Sequence, residues 1–242
     1  MNINNLVPVS RLAANYGVKM VTYGGPGVGK TPVVATAPRP ILLVHEPGML
    51  SMRTFTQIPA FEAFTMERTD EFYEWFLKSS EAKAFDTLAV DSISEFAEIS
   101  LKHELKRSKD GRKVYGEMSR AVMQRMSELY HLRGKHIYLI AKQTEYEEVT
   151  APSFANGIMT PGASTRRKRP YFPGQDLNVK VPHLYDLFLH LARVQFPGQA
   201  GQTPCFRTRE TLEIFARDRS GVLDEYEPTD LTHIFNKITA KT

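Results

Sequence analysis

The chain contains a single cysteine, Cys205, among its 242 residues, so it cannot form a disulfide within itself. This cysteine usage fits a reducing compartment, and we expect a cytoplasmic protein. The sequence also lacks an apolar run long enough to cross a bilayer, and it does not open with a charged-then-apolar leader. A membrane-spanning protein and a small disulfide-stapled secreted domain are therefore not expected.

The excess of positive over negative charge is small as well. The formal net charge of +4 is too small to identify a partner, so the placement of the cations matters more than their sum. Hydrophobic residues make up 42% and charged residues 24%, which predicts a packed core rather than a disordered chain. The length suits one sizeable α/β domain.

Apolar periodicity gives a coarse order of elements. Short continuous apolar runs, typical of buried parallel strands, predict strands at residues 18–23, 41–44, 87–90 and 137–141. Helical spacing predicts helices at residues 71–79, 94–105, 117–132 and 229–240, with a polar segment at 106–116. Residues 184–216 are expected to form several strands. This order predicts an α/β fold: a mainly parallel twisted sheet flanked by helices, with a C-terminal antiparallel extension.

Two segments differ from this pattern. Residues 1–17 form a polar N-terminal segment, with a possible short helix at 10–15, ahead of a domain spanning 18–242. Within the domain, residues 144–182 are rich in Pro, Gly, Ser and Arg and have no sustained periodicity, so they read as a long loop or hairpin. Loops of this length inside a compact domain are usually functional or disordered.

A glycine-rich motif follows the first predicted strand. Residues 24–31 read GGPGVGKT and match the full phosphate-loop pattern, in which glycines let backbone N–H groups converge on phosphates. Lys30 is expected to reach the β- and γ-phosphates, and the Thr31 hydroxyl to bind Mg²⁺. A helix should start directly after the motif, since a first-turn proline needs no N–H of its own. The predicted nucleotide-binding residues are Gly24, Gly25, Pro26, Gly27, Val28, Gly29, Lys30, Thr31 and Pro32.

Polar side chains follow three further predicted strands. Asp91 ends the third strand and is expected to support Mg²⁺ through water, although an Asp here also caps helices. Glu46 follows the second strand, where a carboxylate can activate the attacking water or be merely solvated. Gln143 follows the fourth strand and is either a γ-phosphate sensor or an ordinary polar strand end.

The order of these segments resembles the core of the RecA superfamily. The resemblance lies in VHEPGML at 44–50, LAVDSI at 88–93 and IYLIAKQ at 137–143, together with the phosphate loop, and it extends over about residues 18–218. The chain is similar to the short phage ATPases of the Sak type, which are linked to single-strand annealing and recombination. The resemblance implies that Glu46 is the general base and that Gln143 couples nucleotide to DNA.

A basic ending completes the resemblance. Residues 215–221 read FARDRSG and are similar to the basic ending of that family. The resemblance implies that Arg217 and Arg219 reach the ATP of a neighbouring subunit. A basic pair at a strand end is alternatively a solvated edge that discourages aggregation.

Two basic segments are candidates for DNA contact. Cations there suit phosphates, and the aromatic residues Tyr171 and Phe172 can stack on unpaired bases. The resemblance implies that these are the two DNA-binding loops, whereas the alternative is a solvated basic surface. The candidate DNA-binding residues are Lys106, Arg107, Lys109, Arg112 and Lys113 in the first segment and Arg166, Arg167, Lys168 and Arg169 in the second.

These expectations combine into a function. We expect a DNA-dependent ATPase that uses ATP and Mg²⁺ and acts as a single-stranded-DNA-binding recombinase or annealing protein in a filament or ring of identical subunits. A single-strand-binding protein is a candidate partner, a membrane is not, and a phage-encoded chain would act in the cytoplasm of the host bacterium. A P-loop motor, such as a helicase or packaging ATPase, and a nucleotide-gated loader of replication proteins are the alternatives. ATP binding is expected to order residues 144–182 and to raise DNA affinity.

Overall fold

A computed structural model describes residues 6–9, 16–149, 153–155, 158–160 and 164–240 of the chain. The short helix expected at residues 10–15 lies outside this part. The strands are β1 (Lys19–Tyr23), β2 (Pro40–Val44), β3 (Ala60–Glu62), β4 (Thr87–Asp91), β5 (His136–Ala141), β6 (Gln143–Val149), β7 (Ser153–Ala155), β8 (Ile158–Thr160), β9 (Ser164–Pro170), β10 (Leu187–Gln195), β11 (Gln202–Arg207), β12 (Arg217–Asp218) and β13 (Tyr226–Pro228). The α-helices are α1 (Met66–Lys78), α2 (Ile93–Arg107), α3 (Gly111–His131), α4 (Asp176–Leu184) and α5 (Leu231–Thr239).

One large sheet organises the molecule. Its strands follow the order β13-β11-β10-β1-β5-β4-β2-β3, and β12 pairs with the beginning of β10. The strands from β10 to β3 run parallel, whereas β11 is antiparallel to β10 and β13 is antiparallel to β11. The predicted α/β fold, a mainly parallel sheet with a C-terminal antiparallel extension, is confirmed.

The core lies on both faces of this sheet because side chains alternate along each parallel strand. On one face, strand residues such as Val21 and Leu139 pack against apolar residues of α1, α2, α3 and α4. On the other face, residues such as Met20 and Tyr138 pack against α5 and the segment that follows the glycine-rich loop. The helices begin at side-chain caps: Thr65 for α1, Ser92 for α2, Asp110 for α3 and Asp230 for α5.

The structure differs from the sequence prediction directly after the glycine-rich loop. A helix was expected there, but the chain forms a short 3₁₀ helix, Pro32–Thr36, that ends at an extended Ala37. The residue before a proline is disfavoured in the helical region, and Ala37 precedes Pro38. β-Branched Val33, Val34 and Thr36 further weaken a helix.

The polar segment expected at residues 106–116 is also mostly helical. Helix α2 continues to Arg107 and α3 begins at Gly111, so only residues 108–110 connect them. The Asp110 carboxylate accepts hydrogen bonds from the backbone N–H groups of Arg112, at 3.0 Å, and Lys113, at 3.4 Å. This cap explains why a polar stretch begins a helix.

Residues 144–182 contain regular structure. Strands β6 and β9 pair antiparallel from Gln143 opposite Pro170 to Val149 opposite Ser164, β7 pairs with β8, and α4 follows. The hairpin alternative is therefore the better description of this segment. We refer to β6 and β9 together as the basic hairpin.

None of the helices in the described ranges is long and apolar enough to span a membrane.

Candidate functional site

The glycine-rich loop leaves the carboxyl end of β1 at the centre of the parallel strands. Gly27 and Gly29 have positive φ angles of 70° and 106°, a region that favours glycine. A Cβ atom on Gly24 would lie 2.3 Å from the carbonyl oxygen of Leu191 on the neighbouring strand β10. The loop conformation therefore depends on glycine at these positions.

The Lys30 ammonium folds back over this loop. Its Nζ donates hydrogen bonds to the carbonyl oxygens of Gly24, at 2.8 Å, and Gly25, at 2.9 Å. Burial lowers the pKa of Lys30, and the nearby carboxylates of Asp91 and Glu46 oppose that shift. A cation with incomplete solvation at a glycine-rich loop is suited to bind a triphosphate.

Thr31 and Asp91 meet beside the loop. The Thr31 hydroxyl donates a 2.5 Å hydrogen bond to Oδ2 of Asp91, which ends β4 and is 3% exposed. Burial raises the pKa of Asp91, the bond from Thr31 opposes the shift, and the charge of Glu46 adds to it. A hydroxyl and a carboxylate oxygen side by side are hard ligands of the kind that Mg²⁺ prefers. These two residues fit a magnesium ion, which when bound would neutralise phosphate charge.

Glu46 lies at the same edge of the sheet, two residues after β2. Its Oε2 atom lies 2.9 Å from the ammonium of Lys142, which also contacts Glu95 at 2.6 Å. The side chain of Glu46 is 29% exposed, so water reaches it. The charge of Glu46 acts on both Lys30 and Asp91, so the three side chains lie near one another, and its role as a general base stays a prediction.

Gln143 is the first residue of β6 and lies two residues after the end of β5, the strand between β1 and β4. Its Oε1 accepts a 3.0 Å hydrogen bond from Nε2 of His190, whose ring packs on Tyr23 with centroids 5.0 Å apart. Burial, with the charges of Lys168, Arg207 and Lys30, lowers the pKa of His190 to about 4, so the ring is neutral near pH 7. The amide of Gln143 is thus fixed toward β10, one strand from the phosphate loop.

Sequence reasoning missed three residues of this site: Lys142, Glu95 and His190. Lys142 directly follows β5, at the edge where the acidic residues collect, so its position gave a signal. Glu95 and His190 gave none, because their contacts arise from tertiary packing. Tyr138 supports the loop from below by donating a 3.1 Å hydrogen bond to the carbonyl of Lys30.

Arg217 and Arg219 lie away from this site, where β12 pairs with the beginning of β10. The Arg217 guanidinium donates to the carbonyl of Tyr185 at 2.5 Å and to that of Pro182, and it lies 5.4 Å from the ring centroid of Phe188. Arg219 donates to the carbonyl of His183 at 3.1 Å. Neither residue faces the phosphate loop of its own chain.

The basic hairpin carries its cations on a strand, not on an irregular loop. Acidic residues of β6 face them, with Glu147 opposite Arg166 and Glu145 opposite Lys168. Arg167 pairs with Glu148 at 2.5 Å and with Glu210, and its side chain is only 13% exposed. The expectation of free loop cations is therefore wrong for Arg167, because these acids hold its guanidinium.

The first basic segment surrounds the joint between α2 and α3. The side chains of Lys106, Arg107, Lys109, Arg112 and Lys113 are all exposed there. An open cleft of about 460 Å³ lies between this joint and the basic hairpin. Its lining includes Tyr115 from α3, Arg169 and Thr144 from the hairpin, and Tyr171 directly after it.

A phosphate loop at the end of a parallel strand, with Thr31 and Asp91 beside it, is the arrangement of a P-loop ATPase. A family model described as AAA domain matches residues 16–220, and the chain belongs to that family.

Two solved structures are similar to the chain in part. A KaiC-like protein from Pyrococcus horikoshii has 14% identity and a TM-score of 0.44, over 79% of this chain and 78% of that one. The flagellar accessory protein FlaH from Methanocaldococcus jannaschii has 9% identity and a TM-score of 0.38, over 80% and 78%. No curated protein sequence gives a significant match.

Proposed function

We propose that the chain is an ATP- and Mg²⁺-dependent recombinase or annealing protein of the phage Sak type that binds single-stranded DNA. It hydrolyses ATP at the interfaces between copies in a filament or ring. The observation that carries the proposal is the continuity between the phosphate site and the basic hairpin. Strand β5 ends beside the phosphate loop, and a single residue, Lys142, separates it from β6, which begins at Gln143.

The cleft beside the hairpin supports DNA as the ligand. Tyr115 is 47% exposed and lines the cleft opposite Tyr171 and Arg169. Exposed aromatic rings flanked by cations bind unpaired bases by stacking while the cations contact phosphates. Of the candidate cations only Arg169 lines the cleft, together with Glu98, so the other basic residues would have to contact phosphates outside it.

An exposed apolar residue beside the nucleotide site supports assembly. Leu50 is 84% exposed in the 3₁₀ helix Met49–Met52, which directly follows the turn containing Glu46. Phe55, a few residues further on, is 36% exposed, and the proposed assembly would cover both apolar side chains. Arg219 is the better candidate for contact with a neighbour's ATP, since its side chain is 40% exposed and has one carbonyl partner and a 3.5 Å contact with Asp186, whereas Arg217 donates to two carbonyls.

The decisive measurement is single-stranded DNA affinity with a non-hydrolysable ATP analogue, with ADP and without nucleotide. We expect the tightest binding with the ATP analogue and faster phosphate release when DNA is present. Lys30→Ala should lose both effects, since it removes the phosphate-binding cation. Equal affinity in all three nucleotide states would contradict the proposal.

Product assays distinguish the remaining possibilities. Pairing of complementary strands without unwinding indicates an annealing protein, whereas strand separation or translocation indicates a motor. Slow phosphate release that DNA does not change indicates a loader.

We also propose that the protein acts in the cytoplasm, of a host bacterium if phage-encoded, with a single-strand-binding protein as a partner.

A further inference from the structure

The Lys142 ammonium lies between two carboxylates. Its Nζ is 2.9 Å from Oε2 of Glu46 and 2.6 Å from Oε2 of Glu95, and Glu95 lies 3.4 Å from the ammonium of Lys102. Four charges of alternating sign therefore run from the phosphate site to the surface of α2. Burial opposes the charge of Lys142, but the hydrogen bonds to Glu95 and Glu46 prevail and raise its pKa.

The backbone of Lys142 is held as firmly as its side chain. Its N–H donates to the Ser94 hydroxyl at 2.9 Å, and its carbonyl accepts from the N–H of Tyr171 at 2.8 Å. The Ser94 hydroxyl in turn donates to the carbonyl of Tyr171 at 2.6 Å. The first turn of α2 thus joins Lys142 to both strands of the basic hairpin, since Tyr171 directly follows β9.

Fewer contacts hold the side chain of Glu46 than hold Lys142. It lies in a turn before Gly48, whose φ is 118°, and its charge and that of Asp91 repel each other. Without a neighbouring cation, this repulsion favours rotation of the Glu46 carboxylate toward solvent. Lys30 also attracts Glu46, but its Nζ is hydrogen-bonded to the carbonyls of Gly24 and Gly25. The direct ion pair comes from Lys142 at the same edge of the sheet.

We propose that Lys142 is a positioning residue that holds the Glu46 carboxylate beside the phosphate loop for ATP hydrolysis. In that reaction the water oxygen bonds to the γ-phosphorus, the bond from phosphorus to the ADP oxygen breaks, and the water proton passes to Glu46. Lys142 itself does not touch the reacting atoms. The inference rests on the proposed ATP hydrolysis with Glu46 as the base.

The test compares steady-state ATP hydrolysis of Lys142→Met, Lys142→Arg and the wild type. Methionine keeps the length of the side chain and removes the charge. We expect kcat of Lys142→Met to fall about 10-fold to 100-fold, as misplacement of a catalytic group does. KM and the affinity for a fluorescent ATP analogue should stay within about twofold, because the phosphate loop is unchanged. Lys142→Arg, which keeps the positive charge, should retain most of the wild-type kcat.

Lys102→Met is the matched control, because Lys102 contacts Glu95 but not Glu46 and should leave kcat unchanged. In the Glu46→Gln background, Lys142→Met should cause little further loss, since both changes affect one function. Should Lys142→Met not fold, Lys142→Gln provides the same comparison.

Unchanged or increased kcat in Lys142→Met, or an equal loss of nucleotide affinity, would overturn the inference. A wild type that binds ATP without hydrolysing it would instead refute the proposed function, and the inference with it.

Discussion

Two carboxylates at the nucleotide site have different surroundings. Asp91 is buried and receives the hydroxyl hydrogen of Thr31, whereas Glu46 is partly exposed and faces Lys142. A buried carboxylate next to a hydroxyl suits the support of a cation, and an accessible one suits proton transfer from water. The two carboxylates therefore differ in the way that a metal-supporting residue and a general base would, and these two roles stay predictions.

Glu46→Gln should slow ATP hydrolysis by about 100-fold or more while ATP binding persists, because the amide cannot accept the water proton. Single-turnover phosphate release and titration with a fluorescent ATP analogue check the two parts separately. Glu62→Gln is a matched control, since Glu62 is an exposed carboxylate at the end of the adjacent strand β3. Wild-type turnover in Glu46→Gln would remove this residue from the mechanism.

Single residues of the site were predictable where a local pattern defines them. The phosphate loop is a contiguous motif, and Glu46, Asp91 and Gln143 each follow an apolar run, which places them at one edge of a parallel sheet. The ion pairs of Lys142 and the hydrogen bond from His190 depend on distant segments that meet only in the folded protein. No local sequence pattern indicates such contacts.

At the scale of elements, the basic hairpin and the α2–α3 joint contribute differently to the proposed DNA groove. Tyr115 should act by stacking and Arg166, which is exposed, by contact with phosphate. Tyr115→Ala is expected to weaken binding of a single-stranded oligonucleotide about 10-fold without changing its salt dependence. Arg166→Ser should reduce the slope of log affinity against log salt concentration by about one, since one phosphate contact is lost.

Fluorescence anisotropy over a series of salt concentrations measures both quantities. Tyr16→Ala is the control for loss of an exposed tyrosine, since Tyr16 is 38% exposed and pairs with Arg133 away from the cleft. Full affinity in Tyr115→Ala together with an unchanged slope in Arg166→Ser would assign both segments to an ordinary solvated surface.

Elements were predictable to the extent that burial shapes their sequences. The parallel strands are continuous apolar runs because both of their faces are covered. The basic hairpin has no such run: β6 and β9 are dominated by Glu and Arg, and their register is set by cross-strand pairs such as Tyr146 opposite Arg167. The short 3₁₀ helix after the phosphate loop was mispredicted because prolines further along the chain outweigh the motif's usual context.

At the scale of the whole molecule, folding buries His45 and His190, half-buries His136, and leaves all three rings neutral. Burial, the first cause in each case, lowers the pKa of His45 to about 3 and those of His136 and His190 to about 4. The Nδ1 atom of His136 accepts a 3.1 Å hydrogen bond from the N–H of Val18. Because an accepting ring nitrogen carries no proton, this bond agrees with a neutral ring. Below their usual pKa of 6.5, the unfolded chain therefore binds more protons than the folded one.

The free energy of unfolding should consequently fall as the pH drops from 6.5 toward 4. Each histidine contributes a slope of about 1.4 kcal/mol per pH unit. Urea unfolding at several pH values between 7.5 and 4.5 measures the slope. His136→Gln should make it shallower, whereas His131→Gln, a change at an exposed position, should not. A flat profile across this range would contradict the assignment of neutral buried rings.

Both outer strands of the large sheet are only three residues long, and β13 ends in Pro228. Short edge strands and a proline leave few unpaired backbone N–H and C=O groups for a strand of a second chain. In the proposed assembly we therefore expect these two edges of the described sheet to contribute little, and copies to meet through side chains and loops. Such contacts could loosen and re-form without disturbing the backbone pairing inside each copy, so disassembly of the proposed oligomer would leave each fold intact.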